Sequence, residues 1–320
     1  MKFYPIQFEP ILKERIWGGT QLKTLLNKPI LSEKTGESWE ISTVTDDVSV
    51  VATGIYKGKS LNDLISDFPE LLLGTSVYAK FGPQFPLLFK FIDAREDLSI
   101  QLHPNDELAL KRHNSFGKTE MWYVMNAEEG ARMIVGFKDK SSSEEYVNHL
   151  TNKSLLSLLD SKKVKEGDVF FLETGTIHAI GAGIVVAEIQ QTSDITYRLY
   201  DFDRVDANGN LRELHVDLAL EAINYDVVKV ERTYDEIENQ VNTIVECPYF
   251  TTNFIKVTES VTVVTNIETF KVLMIVSGSC ALIMDGVTYQ YVKGDTLLIP
   301  AAAPNFELVG TASVLEIYIK

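Results

Sequence analysis

Short runs of β-branched and aromatic residues recur along this chain, each bounded by glycine, proline or aspartate. Residues 85–92 (FPLLFKFI), 121–125 (MWYVM) and 169–172 (VFFL) have the length and composition of strands. Helical periods are fewer. Residues 61–73 place Leu61, Leu64, Ile65, Phe68, Leu71 and Leu72 near a 3.6-residue spacing, with Ser60 positioned as an N-cap. Residues 142–159 predict two short helices. Residues 211–224, with Leu214, Leu218 and Ala222, predict another. Many short strands with scattered helices predict a mainly β protein, a barrel or sandwich with insertions.

A weak repeat divides the pattern. Gly167-Asp168 opens an apolar strand, and a tight turn after Leu172 leads to His178. Gly294-Asp295 opens a similar strand, and the turn after Ile299 leads, at the same offset, to Asn305. Two related barrels are expected, the first with a polar site and the second without. The charged, poorly patterned residues 225–248 are the expected boundary.

Length and charge narrow the function. A chain of 320 residues favours two domains, and 45% hydrophobic residues suffice for a core without disulfides. Thirty Lys+Arg against 45 Asp+Glu give a formal charge of −15, which repels nucleic acid, anionic lipid and phosphorylated metabolites alike. A phosphate ester substrate would therefore need a local basic cluster. The two cysteines, Cys247 and Cys280, form no CxxC pair, so a reducing compartment is expected. The N-terminus has no signal-peptide run, and no apolar stretch reaches membrane-spanning length. A cytoplasmic protein that binds neither nucleic acid nor membrane is the expectation.

Of five histidines, His149 and His215 lie in polar helical surroundings and His113 in a loop, all expected at the surface. His103 and His178 differ. In Ser99-Ile-Gln-Leu-His-Pro, strand alternation puts Gln101 and His103 on one face before Pro104 ends the strand. Glu120 opens the strand that follows Gly117-Lys-Thr, with Lys118 on the same face. A His-Glu-His set with one extra oxygen ligand suits Zn²⁺ with an open position. Further on, alternation puts Asp194, Thr196, Arg198 and Tyr200 on one face, opposite Ile195, Tyr197 and Leu199. Glu188 faces away from Val185, Ala187 and Ile189. A surface ion pair for Arg198, a half-solvated strand for Glu188 and a solvated Lys118 are the plain alternatives. Trp17, Trp39 and Trp122 could floor a binding site, but core packing is the plainer expectation and no catalytic role is assigned to them.

Two sequence contexts carry a family resemblance. Gly167, five residues, Glu-Thr-Gly, two residues, His178 resembles the second cupin motif, with Glu173 where that motif usually has proline. QLHP at 101–104, GKTEMWYV at 117–124, GTIHAIGAG at 175–183 and EIQQTSDITYRLYDFDR at 188–204 resemble the short bacterial form of the type I mannose-6-phosphate isomerase family. Trp17-Gly-Gly19 and Gly36-Glu-Ser-Trp-Glu40 resemble its N-terminal segments.

The resemblance implies two cupin-like (jelly-roll) β-barrels with a few inserted helices. It implies an N-terminal catalytic domain over residues 1–240, with helical insertions near 139–160 and 211–224, and a metal-free domain over residues 241–320. It also implies one Zn²⁺ per chain on His103, Glu120 and His178, with Gln101 matching a fourth ligand of larger relatives. Arg198 matches the catalytic arginine, Glu188 and Asp194 match pocket acids, and Lys90 and Lys118 match pocket lysines. Arg204 stands where the larger relatives carry lysine. The implied reaction interconverts mannose 6-phosphate and fructose 6-phosphate through a cis-enediol, with Lys118 or Glu188 as the base. A lysine beside Zn²⁺ and an arginine is expected to have a depressed pKa. The competing readings are a non-catalytic sugar-phosphate-binding bicupin and an iron dioxygenase. The iron enzymes usually take two histidines from HxH, where this chain has Gln101-Leu-His103.

Overall fold

The computed structural model describes residues 3–205 and 209–320. Two antiparallel sheets hold the motifs singled out above. In the seven-stranded sheet, Thr35–Ile41, Leu87–Ala94, Ile184–Gln191 and Glu120–Ala127 are neighbours. Ile11–Gly19 lies at one edge, and Val169–Leu172 and Glu231–Arg232 at the other. The five-stranded sheet runs Tyr197–Tyr200, Ile100–Leu102, His178–Ile180, Arg132–Phe137, Leu159–Lys163. A third sheet is built around the long strands Lys271–Met284 and Phe306–Tyr318. The chain is mainly β, as its pattern predicts.

Side-chain alternation explains the layering. Ile184–Gln191 is buried at all eight positions, so the half-solvated strand expected for Glu188 is replaced by one covered on both faces. Val185, Ala187 and Ile189 enter a core shared with the C-terminal sheet. Ile184 and Val186 enter a second core with Trp122, Val124, Met133, Val135 and Phe170, between the two N-terminal sheets. A third core lies beyond the five-stranded sheet, where Ile100, Leu102 and Tyr197 meet Tyr146 and Ala219 of two helices. Aromatic pairs tie the shared core together: Phe85–Phe270 at 4.7 Å, Tyr123–Phe254 at 6.2 Å and Phe171–Phe250 at 6.3 Å. Each such pair contributes about 0.5–1.5 kcal/mol beyond the area it buries.

Helices follow the periodic pattern with local corrections. Residues 61–73 divide into Leu61–Asp67 and Pro69–Leu73. Ser60 and Asp63 form a capping box at the first, and Pro69 starts the second because it lacks the N–H needed to continue the first. Ser143–Thr151 and a 3₁₀ turn at Leu155–Ser157 occupy the segment where two short helices are predicted. Residues 211–224 are helical only over Val216–Ala222. Upstream, Leu211 bridges Val205 and the His215 N–H donates to the Arg198 carbonyl at 2.7 Å, so this backbone lies alongside other chain and cannot coil.

The repeat is visible in hydrogen bonds. Gly167 N–H donates to Val124 O at 2.9 Å, and Gly294 N–H to Ile275 O at 2.8 Å. The Asp168 carboxylate accepts from Lys165 N–H at 2.9 Å, and the Asp295 carboxylate from Val292 N–H at 2.8 Å. Both glycines have positive φ, +88° and +97°, which a side chain would disfavour. No helix among the described residues is long and apolar enough to cross a membrane.

Candidate metal centre and cleft

Register brings the candidate residues together. In the five-stranded sheet, Gln101 is the cross-strand partner of both His178 and Arg198. In the seven-stranded sheet, Glu188 is the partner of both Lys90 and Trp122, and Lys90 is also paired with Trp39. The two rows meet where His178 packs edge-on to Trp122, with ring centroids 5.3 Å apart.

His103, Glu120 and His178 lie buried with their ligand atoms within 4.8 Å of one another. His103 Nδ1 is 2.8 Å from the Ile195 carbonyl and His178 Nδ1 is 2.9 Å from the Thr176 carbonyl. A carbonyl only accepts, so each Nδ1 carries the proton and each Nε2 offers a lone pair. Those nitrogens lie 3.5 Å and 3.3 Å from the two Glu120 oxygens. Burial and the neighbouring Lys118 charge hold both imidazoles neutral; His178 falls to about 4. His178 Nε2 and Glu120 Oε1 face each other, buried and without a hydrogen bond, while Glu120 Oε2 is ion-paired with Lys118. A buried carboxylate and imidazole facing each other unpaired are costly unless a cation lies between them. This donor set therefore fits a divalent metal, and two nitrogens with one oxygen fit zinc well.

Lys118 stands beside the triad, its Nζ 3.0 Å from His103 Nε2 and 2.9 Å from Glu120. Burial lowers its pKa, but the carboxylates of Glu120 and Glu188 outweigh burial, so the protein's own charges raise it. Glu188 pairs with Lys90 at 3.1 Å and accepts from Trp122 Nε1 at 2.9 Å. Burial opposes its ionisation, but Lys90 and Lys118 hold its pKa below the usual carboxylate range. A buried pair of this kind is poor value for stability, so its presence beside a cleft points to chemistry.

Lys90, Gln101, Lys118, Glu188, Asp194 and Arg198 all line one cleft of about 380 Å³. Gln101 forms wall beside the triad, and its Oε1 accepts from Ser99 Oγ at 3.3 Å. Asp194 is exposed on the rim. Arg198 donates to the Glu213 carbonyl at 2.8 Å and leaves Nε buried without a partner. Among the described residues no carboxylate pairs with it, so the plain ion-pair reading is not met.

Residues 6–138 match the phosphomannose isomerase type I catalytic-domain family, and residues 240–319 match the mannose-6-phosphate isomerase cupin domain. The chain is 38% identical over 315 residues to mannose-6-phosphate isomerase ManA of Bacillus subtilis, covering 97% of this chain and 98% of that one. The chain belongs to the type I mannose-6-phosphate isomerase family. It is also 35% identical to the mannose-6-phosphate isomerase of Streptococcus mutans over 97% of each chain. The crystal structure of the Bacillus subtilis mannose 6-phosphate isomerase superposes with a TM-score of 0.90 at 35% identity, covering 98% of this chain and 99% of that one.

Within this mannose-6-phosphate isomerase family fold, sequence reasoning missed part of the cleft. Arg15 and Arg212 line it with Arg198, and Glu37 holds Arg15 at 2.8 Å. Arg212 is steadied by Asp201, which also binds Arg204. Trp17, Trp39 and Trp122 form apolar wall there. The clue was available: Arg15 stands two residues before Trp17, and strand alternation puts both on one face. Arg212 had no such signal, because a loop carries it. His215, expected at the surface, is half-buried, its Nδ1 accepting from Arg198 N–H at 3.1 Å.

Proposed function

We propose that this chain interconverts mannose 6-phosphate and fructose 6-phosphate, with one Zn²⁺ on His103, Glu120 and His178. The observation that carries this reading is a buried His-Glu-His set, with His178 Nε2 and Glu120 Oε1 lacking any hydrogen bond, beneath a cleft lined by Arg15, Lys90, Lys118, Arg198 and Arg212. On a chain of charge −15, that cluster supplies the local positive field a sugar phosphate requires. Zinc, when bound, supplies a Lewis acid for carbonyl and hydroxyl oxygens.

The protein's own groups do the rest. The open-chain sugar exchanges a proton between C2 and C1 through a cis-enediol. Glu188 is ionised and Lys118 charged at neutral pH, so Glu188 is the group ready to take the proton and Lys118 the group ready to donate to an oxygen. Arg198, whose planar fork suits phosphate or enediolate oxygens, projects into the same cleft with Arg212. The tryptophans exclude water around the sugar. Asp194, on the rim, would bind a sugar hydroxyl, and Gln101, beside the triad, is the candidate fourth metal ligand.

A coupled assay of mannose 6-phosphate isomerisation, with and without chelator, tests this. Turnover that chelator abolishes and zinc restores is the expected result. Tight binding of mannose 6-phosphate without turnover would instead make the chain a non-catalytic sugar-phosphate-binding bicupin.

A further inference from the structure

The triad and Lys118 are backed by side chains outside the substrate cleft. Asp106 stands three residues after His103, at the start of the helix Asp106–His113. Its carboxylate gathers three donors. Oδ1 accepts from Gly117 N–H at 2.8 Å and from Gln191 Nε2 at 3.0 Å, and Oδ2 accepts from the Tyr249 hydroxyl at 2.9 Å. Gln191 in turn accepts the Thr119 N–H at 2.9 Å, while its own N–H donates to Thr119 O at 3.2 Å. Thr119 lies between Lys118 and Glu120. At Gly117 the two segments touch directly: a Cβ there would lie 2.7 Å from Asp106 N. Asp106, Gln191 and Tyr249 line a second cavity of about 790 Å³, which meets the substrate cleft at Asp194.

We infer that Tyr249 and Asp106 are positioning residues, through which the C-terminal part of the chain fixes Glu120 and Lys118 for metal and substrate. The inference rests on the metal reading above. Tyr249 follows Cys247-Pro248 in the turn that leads into the strand Thr251–Val257 of the C-terminal sheet. Burial and Asp106 push its hydroxyl up to about 12, so it remains a donor throughout the neutral range. The hydrogen bonds then run Tyr249 to Asp106, Gln191 to Asp106, and Thr119 to Gln191, ending beside the Glu120 ligand. Groups that orient metal ligands from behind typically matter by about 10–100-fold in metal affinity or activity. Asp106 is solvent-exposed, which places these effects at the low end.

Cobalt(II) is the probe, because its visible spectrum reports ligand geometry independently of turnover. Full-length wild type, Tyr249→Phe, Asp106→Ala and Asp106→Asn are titrated with Co²⁺ and assayed for kcat and KM. Asp106→Ala is expected to lose about 10-fold in cobalt affinity or kcat, with an altered spectrum. Tyr249→Phe should move the same quantities less and leave KM within about twofold, and Asp106→Asn, which keeps one acceptor oxygen, should recover part of the loss. In the Asp106→Ala background, Tyr249→Phe should add nothing. Unchanged spectrum, affinity and kcat in Tyr249→Phe, with only a lower melting temperature, would make the bond structural and overturn the inference, even if Asp106→Ala fails to fold. Failure of the wild type itself to bind Co²⁺ would be a failure of the metal reading.

Discussion

The turns that follow Val169–Leu172 and Thr296–Ile299 have the same scaffold and different outcomes. Each preceding strand is entered through a left-handed glycine and an aspartate that accepts from the N–H three residues earlier. One leads to buried His178, the other to exposed Asn305, whose side chain accepts from Thr265 N–H at 2.9 Å and closes a loop. A scaffold places a side chain, but chemistry requires partners. His178 meets His103, just past the end of one strand, and Glu120, at the start of another, whereas residues 241–320 contain no histidine.

The same contrast holds for buried carboxylates. Glu316 in the C-terminal sheet is satisfied by Lys271 at 2.7 Å and Asn253 at 2.8 Å, far from any cleft. In the first part of the chain, Glu120 and Glu188 are held in ion pairs with Lys118 and Lys90 at the cleft, and Asp93 Oδ1 is left without a hydrogen bond. Glu120 keeps one oxygen without a hydrogen bond, facing His178 Nε2 at 3.3 Å, whereas both Glu316 oxygens are taken.

The sharpest way to break this comparison is to exchange the turn residues. His178→Ala should remove the metal and lower activity by at least about 10²–10³-fold, as metal analysis and the coupled assay would show together. Asn305→His should bind no second ion, since no carboxylate–histidine pair awaits it; two metals per chain in that variant would end the contrast. Arg198→Ala should cost about 10²–10³ in rate while metal content stays intact and stability changes by no more than about 0.5 kcal/mol. Arg198→Lys should restore only part of the rate, because the planar fork is lost. Wild-type turnover in Arg198→Ala would return that residue to a surface role.

Smaller effects test the scaffold itself. Gly167→Ala should cost about 1 kcal/mol for its left-handed backbone, with Tyr234 no nearer than 3.6 Å. Gly294→Ala should cost more, because the added Cβ would lie 2.7 Å from Leu26 O. Urea melts showing the reverse order would mean that the two turns are not equivalent. Asp93 gives the pH test. Burial outweighs its bonds from the Gln21 and Leu22 N–H groups and raises its pKa from 3.8 to about 6. The folded state therefore holds its proton more tightly than the unfolded state, so this contribution to stability falls as pH rises from about 4 to 6 and stays low above that. Asp93→Asn should gain on wild type in melts at pH 8 and lose that advantage at pH 4. An equal difference at both pH values would show that Asp93 does not titrate in this window.

Much of the site was legible because local rules placed it. Period-two alternation put Asp194, Thr196 and Arg198 on one face, and all three line the cleft. Gln101 and His103 followed from the same rule, and the Ser60 cap from its hydroxyl. The errors came where backbone partners far along the chain intervened. Residues 211–215 have helical composition, yet their backbone pairs with Val205 and Arg198. For Lys118 the carboxylates of Glu120 and, from a distant segment, Glu188 act against the depression expected beside Zn²⁺. Arg212 and Tyr249 carried no local signal that ties them to His103.

By itself the sequence determined the mainly β character, the repeated turn, the donor types and which side chains share a strand face, because those depend on neighbours within a few residues. Tertiary structure alone decided that Glu188 faces Lys90 and Trp122, that Gln101 lies between His178 and Arg198, and that Tyr249 reaches Asp106. Those pairings depend on strand register and core packing between distant segments, and no local propensity encodes which distant strand becomes the neighbour.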